Sequence, residues 1–199
     1  MRKTTPFLFA LLLVLGFHQP ALAQETFLLA DGSTIRVDGS SNRSDWSVQA
    51  STYSGSFQVT DGVPTSGMMS IPVRDMKSGK SLIMDRLMHS AFEADTNPDI
   101  TFTLENASPD AEAGWWVMKG SLLMAGSTQP VSVRLQQQGP AGRTLRYTGS
   151  HALKMTDYGM TPPSAMFGSL HTSEDVTIHF DLLLASNCEE DCPSSGGSR

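Results

Sequence analysis

The stretch V176-T-I-H-F-D-L182 alternates apolar and polar side chains more regularly than any other segment of the chain. Its even-numbered residues are apolar, and its odd-numbered residues Thr177, His179 and Asp181 are polar. Successive side chains of a β-strand point to opposite faces. The alternation therefore predicts a strand with one face in the core and the other in water.

The same alternation recurs along the chain between short runs rich in glycine, serine and proline. The alternating segments lie near 35–37, 46–50, 53–59, 69–73, 100–104, 116–124, 131–135 and 145–153. About eight or nine strands, each with a single apolar face, predict an all-β, antiparallel sheet wrapped on itself.

One segment departs from this period of two. Between Ser81 and Ala94 the apolar residues fall at i, i+3, i+4 and i+7, which is the stripe of an amphipathic helix. These residues are Met84, Leu87, Met88 and Ala91. Ser81 is suited to cap the helix, and Pro98 prevents its continuation. We expect this single helix to lie across one end of a barrel.

The N-terminus has the order of regions found in a secretory signal peptide. Arg2 and Lys3 precede an apolar run over 7–17, and A21-L-A23 provides the small residues that a signal peptidase recognises. The run is shorter than the roughly 20 residues needed to cross a bilayer, which argues against an N-terminal anchor. We therefore predict a signal peptide at 1–23 and a periplasmic or secreted mature protein.

The remaining chain divides into a barrel domain over 24–185 and a tail over 186–199. The tail is rich in serine, glycine and acidic residues, a composition that predicts disorder. Cys188 and Cys192 lie in the tail. They would form a short-loop disulfide in an oxidising compartment, or remain free thiols, or pair with another chain.

The charge balance limits the partners that the protein can have. The chain carries 20 acidic and 14 basic residues, for a formal net charge of −6. An acidic protein with few charged clusters is a poor partner for nucleic acid or for an anionic membrane surface. No second long apolar stretch follows the leader, so we expect a soluble rather than membrane-embedded protein.

Two other functions can be read from the residues. His89 follows Asp85 by four positions, His171 lies near Glu174, and Asp157 precedes a tyrosine, which leaves a periplasmic hydrolase as an alternative. The sequence contains no G-x-S-x-G, H-E-x-x-H or C-x-x-C motif, so no known catalytic signature accompanies these residues. The methionines and histidines also admit a copper-handling protein, since thioether and imidazole ligands favour Cu(I). No close Met or His cluster supports that alternative, and no cofactor is predicted.

Five segments, in this order, resemble the YceI-like family of secreted bacterial proteins, whose members are also called polyisoprenoid-binding or lipid-binding domains. They are 39–46 (GSSNRSDW), 71–73 with 77–79 and 84–89, 98–102 (PDITF), 120–131 (GSLLMAGSTQPV) and 155–168 (MTDYGMTPPSAMFG). The resemblance implies a lipocalin-like antiparallel β-barrel of about eight strands with one inserted helix. It also implies a binding protein, rather than an enzyme, that holds a polyisoprenoid or other lipid-like molecule in the lumen.

The expected ligand is a polyprenyl chain or a fatty-acyl derivative, bound by a monomer or a homodimer. The candidate ligand-binding residues are Trp46, Met84, Met88, Phe92, Phe102, Trp116, Tyr158 and Phe167. Large side chains at these positions would equally fill a closed core, because an eight-stranded barrel is only wide enough for one slender ligand or for its own side chains. Gly120 lies on an inward face of its strand and is a candidate position for blocking the lumen.

Overall fold

The computed structural model describes residues 24–79, 81–139, 142–165 and 169–187. The strands are β1 (Gln24–Leu29), β2 (Thr34–Ser41), β3 (Asp45–Ala50), β4 (Ser54–Thr60), β5 (Val63–Pro72), β6 (Met76–Lys77), β7 (Asp99–Pro109), β8 (Trp115–Met124), β9 (Ser127–Gln138), β10 (Thr144–Lys154), β11 (Ser164–Ala165) and β12 (Leu170–Ser186). The helices are α1 (Leu82–Ala91) and two 3₁₀ turns, Val73–Asp75 and Met155–Tyr158. The proposed signal peptide, Phe167 and both cysteines lie outside the described residues.

Six of these strands combine in pairs into three longer, interrupted strands. β1 and β2 both pair with β12, one after the other along the same edge. β3 pairs with β2 while β4 pairs with β1, and β6 pairs with β3 while β5 pairs with β4. Counted as β1–β2, β3–β4 and β5–β6, these segments join β7, β8, β9, β10 and β12 to make eight antiparallel strands.

The eight strands follow one another around the wall, and β1 closes the wall by pairing with β4 on one side and β12 on the other. The closing register places Phe27 opposite Ser186. The prediction of an antiparallel barrel of about eight strands with one inserted helix is therefore confirmed. The interruption near residues 51–53 explains why the alternation suggested slightly more than eight strands, because it divides one strand of the wall into β3 and β4.

Tight hairpins join neighbouring strands because their turn residues accept positive φ. Asp61 and Gly62 between β4 and β5 have φ values of 52° and 77°. Ala125 and Gly126 between β8 and β9 have φ values of 49° and 77°. Two consecutive residues with positive φ form the type I′ turn, whose twist matches that of the strands it connects.

The helix α1 lies between β6 and β7 and begins as the sequence predicts. The hydroxyl of Ser81 accepts a hydrogen bond from the backbone N–H of Met84 at 3.3 Å. The helix ends at Ala91, three residues before the predicted end at Ala94. The chain already turns at Glu93, whose φ of 51° is incompatible with a further helical turn, so Pro98 is not what stops it.

Among the eight strands of the wall, the shortest ladder joins β9 and β10. The register between these strands covers only Arg146 to Gly149 on β10, opposite Leu135 to Gln138 on β9. Beyond Gly149 the two strands have no ladder pairing, although both continue toward the end of the barrel that carries α1. The amide of Gln129 on β9 instead donates to the backbone carbonyl of Asp157, at 3.0 Å, across this gap.

No helix in the described ranges combines the length and the apolar character that crossing a membrane would require.

Candidate ligand-binding site

A cavity of about 180 Å³ lies inside the barrel. It extends from the inner side of α1, along the inside of the strands, to the ring of Tyr147 near the opposite end. Nearly every side chain that borders it is aliphatic, aromatic or a thioether. The cavity is therefore a narrow apolar lumen and is the candidate binding site.

The wall of the lumen is built from the inward-pointing half of each alternating strand. One row of cross-strand neighbours runs through His151, Ile178, Val37 and Val48 on β10, β12, β2 and β3. All four side chains border the cavity. The polar residues between them along each strand point outward, and this arrangement is the physical origin of the sequence pattern.

The helix α1 covers one end of the lumen. The four residues of its predicted apolar stripe, and Phe92 immediately after them, border the cavity. Asp85, on another face, is only 8% exposed and accepts hydrogen bonds from the backbone N–H and the hydroxyl of Ser78, at 2.9 and 2.7 Å. These bonds from Ser78, with the charge of Lys77, lower the pKa of Asp85. The carboxylate thus ties the helix to the segment that precedes it.

A floor of buried side chains closes the other end. Phe27, Phe57, Leu145 and Tyr147 are each at most 5% exposed and belong to one core cluster. The hydroxyl of Tyr147 donates to the carbonyl oxygen of Gly62 in the β4–β5 turn, at 3.3 Å. Burial raises the pKa of this phenol, so it stays protonated at any physiological pH. The lumen therefore has a blind end.

Methionine contributes unusually often to the lining. Eight of the 11 methionines in the chain border the cavity. They are Met69, Met76, Met84, Met88, Met118, Met124, Met155 and Met160. An unbranched thioether side chain can adopt many shapes at little cost, so such a lining can rearrange around ligands of different width.

The indole of Trp46 borders the lumen near its helix-covered end. It packs against the backbone of Gly39, its cross-strand neighbour, and its Nε1 donates to the carbonyl oxygen of Ser40 at 3.2 Å. Trp46 thus presents an apolar ring surface to the lumen while its one polar atom is satisfied outside it.

The structure brings five of the eight predicted site residues to the cavity: Trp46, Met84, Met88, Phe92 and Phe102. Trp116 and Tyr158 do not line it. Trp116 packs on the core and donates from Nε1 to the side chain of Gln137 at 3.1 Å. Tyr158 is 3% exposed in a second cluster around Val73 and Met155. Both side chains pack in the core without bordering the cavity. The eighth residue, Phe167, lies outside the described residues.

Gly120 also differs from its expected place. It is buried on β8, but a Cβ atom there would lie 2.0 Å from the backbone oxygen of Thr103 on the neighbouring strand. A larger residue at 120 would therefore break the β7–β8 pairing rather than enter the lumen. Ala50 borders the cavity and is the suitable position for a blocking substitution.

Polar groups at the lumen are few, and one of them was not predicted from the sequence. Ser78 and Tyr147 border the cavity, but their hydroxyls donate to Asp85 and Gly62. His151 and Thr172 also border it, and neither side chain forms a hydrogen bond with another of the described residues. The alternation of Tyr147, Gly149, His151 and Leu153 along β10 was the signal that places His151 inside.

The groups considered for catalysis have other partners. The Ser78 hydroxyl donates to Asp85, while Nε2 of His89 lies 3.4 Å from the carbonyl oxygen of Met76. Glu174 is paired with Lys154 and Thr156 rather than with His171. In the part of the chain that the structure describes, no group of three or more His, Cys, Asp or Glu side chains is placed to hold a metal ion.

Known proteins share this architecture. A family model described as the YceI-like domain matches residues 30–184. BcnA of Burkholderia cenocepacia superposes with a TM-score of 0.64 at 18% identity, over 76% of this chain and 95% of its own. A polyisoprenoid binding domain from Saccharophagus degradans, implicated in plant cell wall breakdown, gives 0.65 at 17% identity, over 82% and 99%.

The YceI protein of Campylobacter jejuni gives a TM-score of 0.58 at 17% identity, over 71% of this chain and 85% of its own. Comparison with curated proteins gives no match. At such identities the solved structures establish the fold, whereas the family model covers most of the described barrel. The chain belongs to the YceI-like domain family.

Proposed function

We propose that this protein binds one long apolar molecule in the lumen of its barrel and carries or sequesters it. The observation that carries this proposal is the blind, apolar cavity between α1 and the floor at Tyr147. A cavity lined in this way favours a ligand without charges along its length. Burial of apolar surface, at about 25 cal/mol per Å², is then the main source of affinity.

The width of the lumen limits the ligand to a slender chain. A dry apolar cavity of roughly 150 Å³ can hold a benzene molecule, so a cavity of about 180 Å³ holds only part of a long chain without adjustment. A longer ligand requires the lining side chains to move aside. The eight lining methionines can do so by changing rotamers, which supports binding of an extended molecule.

A polyisoprenoid or another lipid-like chain is the ligand class we propose. The Saccharophagus degradans neighbour is described as a polyisoprenoid binding domain, and that description agrees with the shape and polarity of the lumen here. We further propose that the protein acts after export, with cleavage near Ala23, because of the leader pattern at its N-terminus. A binding role, rather than catalysis, agrees with the partners found for the side chains of Asp85, His89 and Glu174.

Native mass spectrometry of the protein purified from its own source tests this function. We expect a complex with one ligand per chain, and extraction of that complex should release a molecule with a long hydrocarbon chain. N-terminal sequencing of the same sample should begin near Gln24. A ligand-free protein that also fails to take up an added polyprenol would contradict the proposed function.

A further inference from the structure

His151 is one of the few polar side chains that border the mostly apolar binding site. It lies on the inner face of β10 and borders the cavity. Its direct neighbours in the wall are Ile178 across the strand pair and Leu153 two residues along. Its ring nitrogens form no hydrogen bond with any other residue in the described ranges. No hydrogen bond among the described residues therefore accounts for an imidazole at this height.

The height of His151 in the lumen can be read from the strand. It lies four positions after Tyr147 of the floor, which corresponds to about 13 Å at the rise of an antiparallel strand. It lies one inward position below Leu153, which shares a row with Val176, Gly39 and Trp46. The imidazole is thus inside the lumen, and an apolar chain can extend from it toward the floor.

The state of the imidazole defines what it can bind. Burial lowers the pKa of His151, so the ring is neutral at neutral pH. A neutral imidazole has one N–H donor and one nitrogen acceptor. It complements an uncharged group such as a hydroxyl or a carbonyl, and none of the described Lys or Arg side chains borders the cavity to hold a phosphate or a carboxylate.

The wall beside His151 supplies a second, independent observation. The ladder between β9 and β10 ends at Gly149, so the wall next to His151 is not sealed by strand pairing. A ligand group at this height lies beside backbone that has no ladder partner on the β9 side. A polar group is better accommodated here than at any level closer to the floor, where the strands are paired and the lining is apolar.

We infer that the ligand is an amphiphile whose uncharged hydroxyl or carbonyl group hydrogen-bonds to His151, with its apolar chain filling the rest of the lumen. This inference rests on the proposed function, since it specifies the chemistry of the ligand held there. It assigns His151 as a residue that determines ligand specificity.

Paired probes of equal length test the inference. The affinities of 1-dodecanol and dodecane are measured by native mass spectrometry for the wild type and for His151→Leu. The measured quantity is the ratio of the affinity for 1-dodecanol to the affinity for dodecane. One hydrogen bond in an apolar site should make this ratio about tenfold higher in the wild type than in His151→Leu. The leucine variant should lose this preference while its affinity for dodecane is kept or increased.

Two further variants separate recognition from a structural role. His151→Gln retains a donor and an acceptor and should keep part of the preference for the alcohol. Ile178→Leu changes the adjacent lining without touching a polar group and should keep all of it. If His151→Leu discriminates between the probes as the wild type does, the inference is wrong although the proposed function stands. If the folded wild type binds neither probe, the proposed function fails and the inference fails with it.

Discussion

The indole of Trp46 lies so close to the backbone of Gly39 that a Cβ atom on Gly39 would come within 2.2 Å of its Cζ2 atom. Gly39→Ala should therefore push the ring out of its place and lower the free energy of unfolding by about 1–3 kcal/mol, the usual cost of overpacking. Urea denaturation measures this loss. Gly142→Ala is the matched control, because a Cβ there meets nothing within 4 Å. Equal stability of the two variants would show that the Trp46 ring can move aside without lowering the free energy of unfolding.

Trp46 is also the tryptophan that borders the lumen, so its fluorescence should report ligand binding. We expect the emission to change when 1-dodecanol is added to the wild type, and the change to disappear in Trp46→Phe. Trp115→Phe is the control, because Trp115 lies under the guanidinium of Arg134, 4.2 Å from its ring centre. A full response in Trp46→Phe would mean that the ligand does not reach this end of the lumen.

Ala50→Phe should block the lumen. The new ring projects from a lining position into the cavity, so ligand binding should be lost while the barrel stays folded. Ala152→Phe, on the exposed outer face of β10, should bind as the wild type does. Binding is measured by native mass spectrometry and stability by thermal unfolding. If Ala50→Phe lowers the free energy of unfolding by about 1–3 kcal/mol and the wild type binds no apolar ligand, the interior is a packed core instead.

Asp85 should make stability depend on acidic pH. Its hydrogen bonds from Ser78 lower its pKa in the folded protein below the ordinary value of 3.8, so its contribution is present above that value and is lost as the pH falls through the folded pKa. Asp85→Asn should cost about 2 kcal/mol at pH 7 and less at pH 3. Urea denaturation at both pH values measures the difference.

The acid dependence has other sources as well. Arg134 and Arg146 lower the pKa of Asp110 and Asp181, so Asp85→Asn should reduce the pH dependence of the wild type without abolishing it. The exposed Asp31 provides the control: Asp31→Asn should retain the wild-type dependence. An Asp85→Asn variant with the same loss at pH 3 as at pH 7 would contradict the ionic role of this carboxylate.

The barrel could be predicted from the sequence because strand alternation and helical periodicity are local. The inward positions of β12 and the stripe of α1 followed directly from spacing, and Ser81 was recognisable as a cap. The strand β1 was missed, because its short sequence, with Phe27 and Leu29 as its inward residues, contains too few alternating positions. Its place in the wall depends on pairing with distant strands.

The site was predicted only in part, because alternation tells which side chains point inward but not at what height the lumen is open. Trp116 and Tyr158 point inward in layers beside the cavity, whereas Phe102 borders it. Gly120 was misjudged because its close approach to Thr103 is a contact between strands. His151 was overlooked because a single histidine in an alternating strand has no motif around it.

The closure of the wall by β1 determines when the protein can finish folding. Phe27 pairs with Ser186, so the two sides of the seam lie 159 positions apart in the chain. Contacts of such long range slow folding, because the entropy of a large loop is lost before the contacts form. During synthesis, β12 is the last of the described strands to emerge, and until then β1 lacks its neighbour on one side and β10 lacks one of its own. The growing chain therefore exposes unpaired strand edges and apolar inner faces until its final strand is complete, so nascent chains should depend on protection from aggregation throughout.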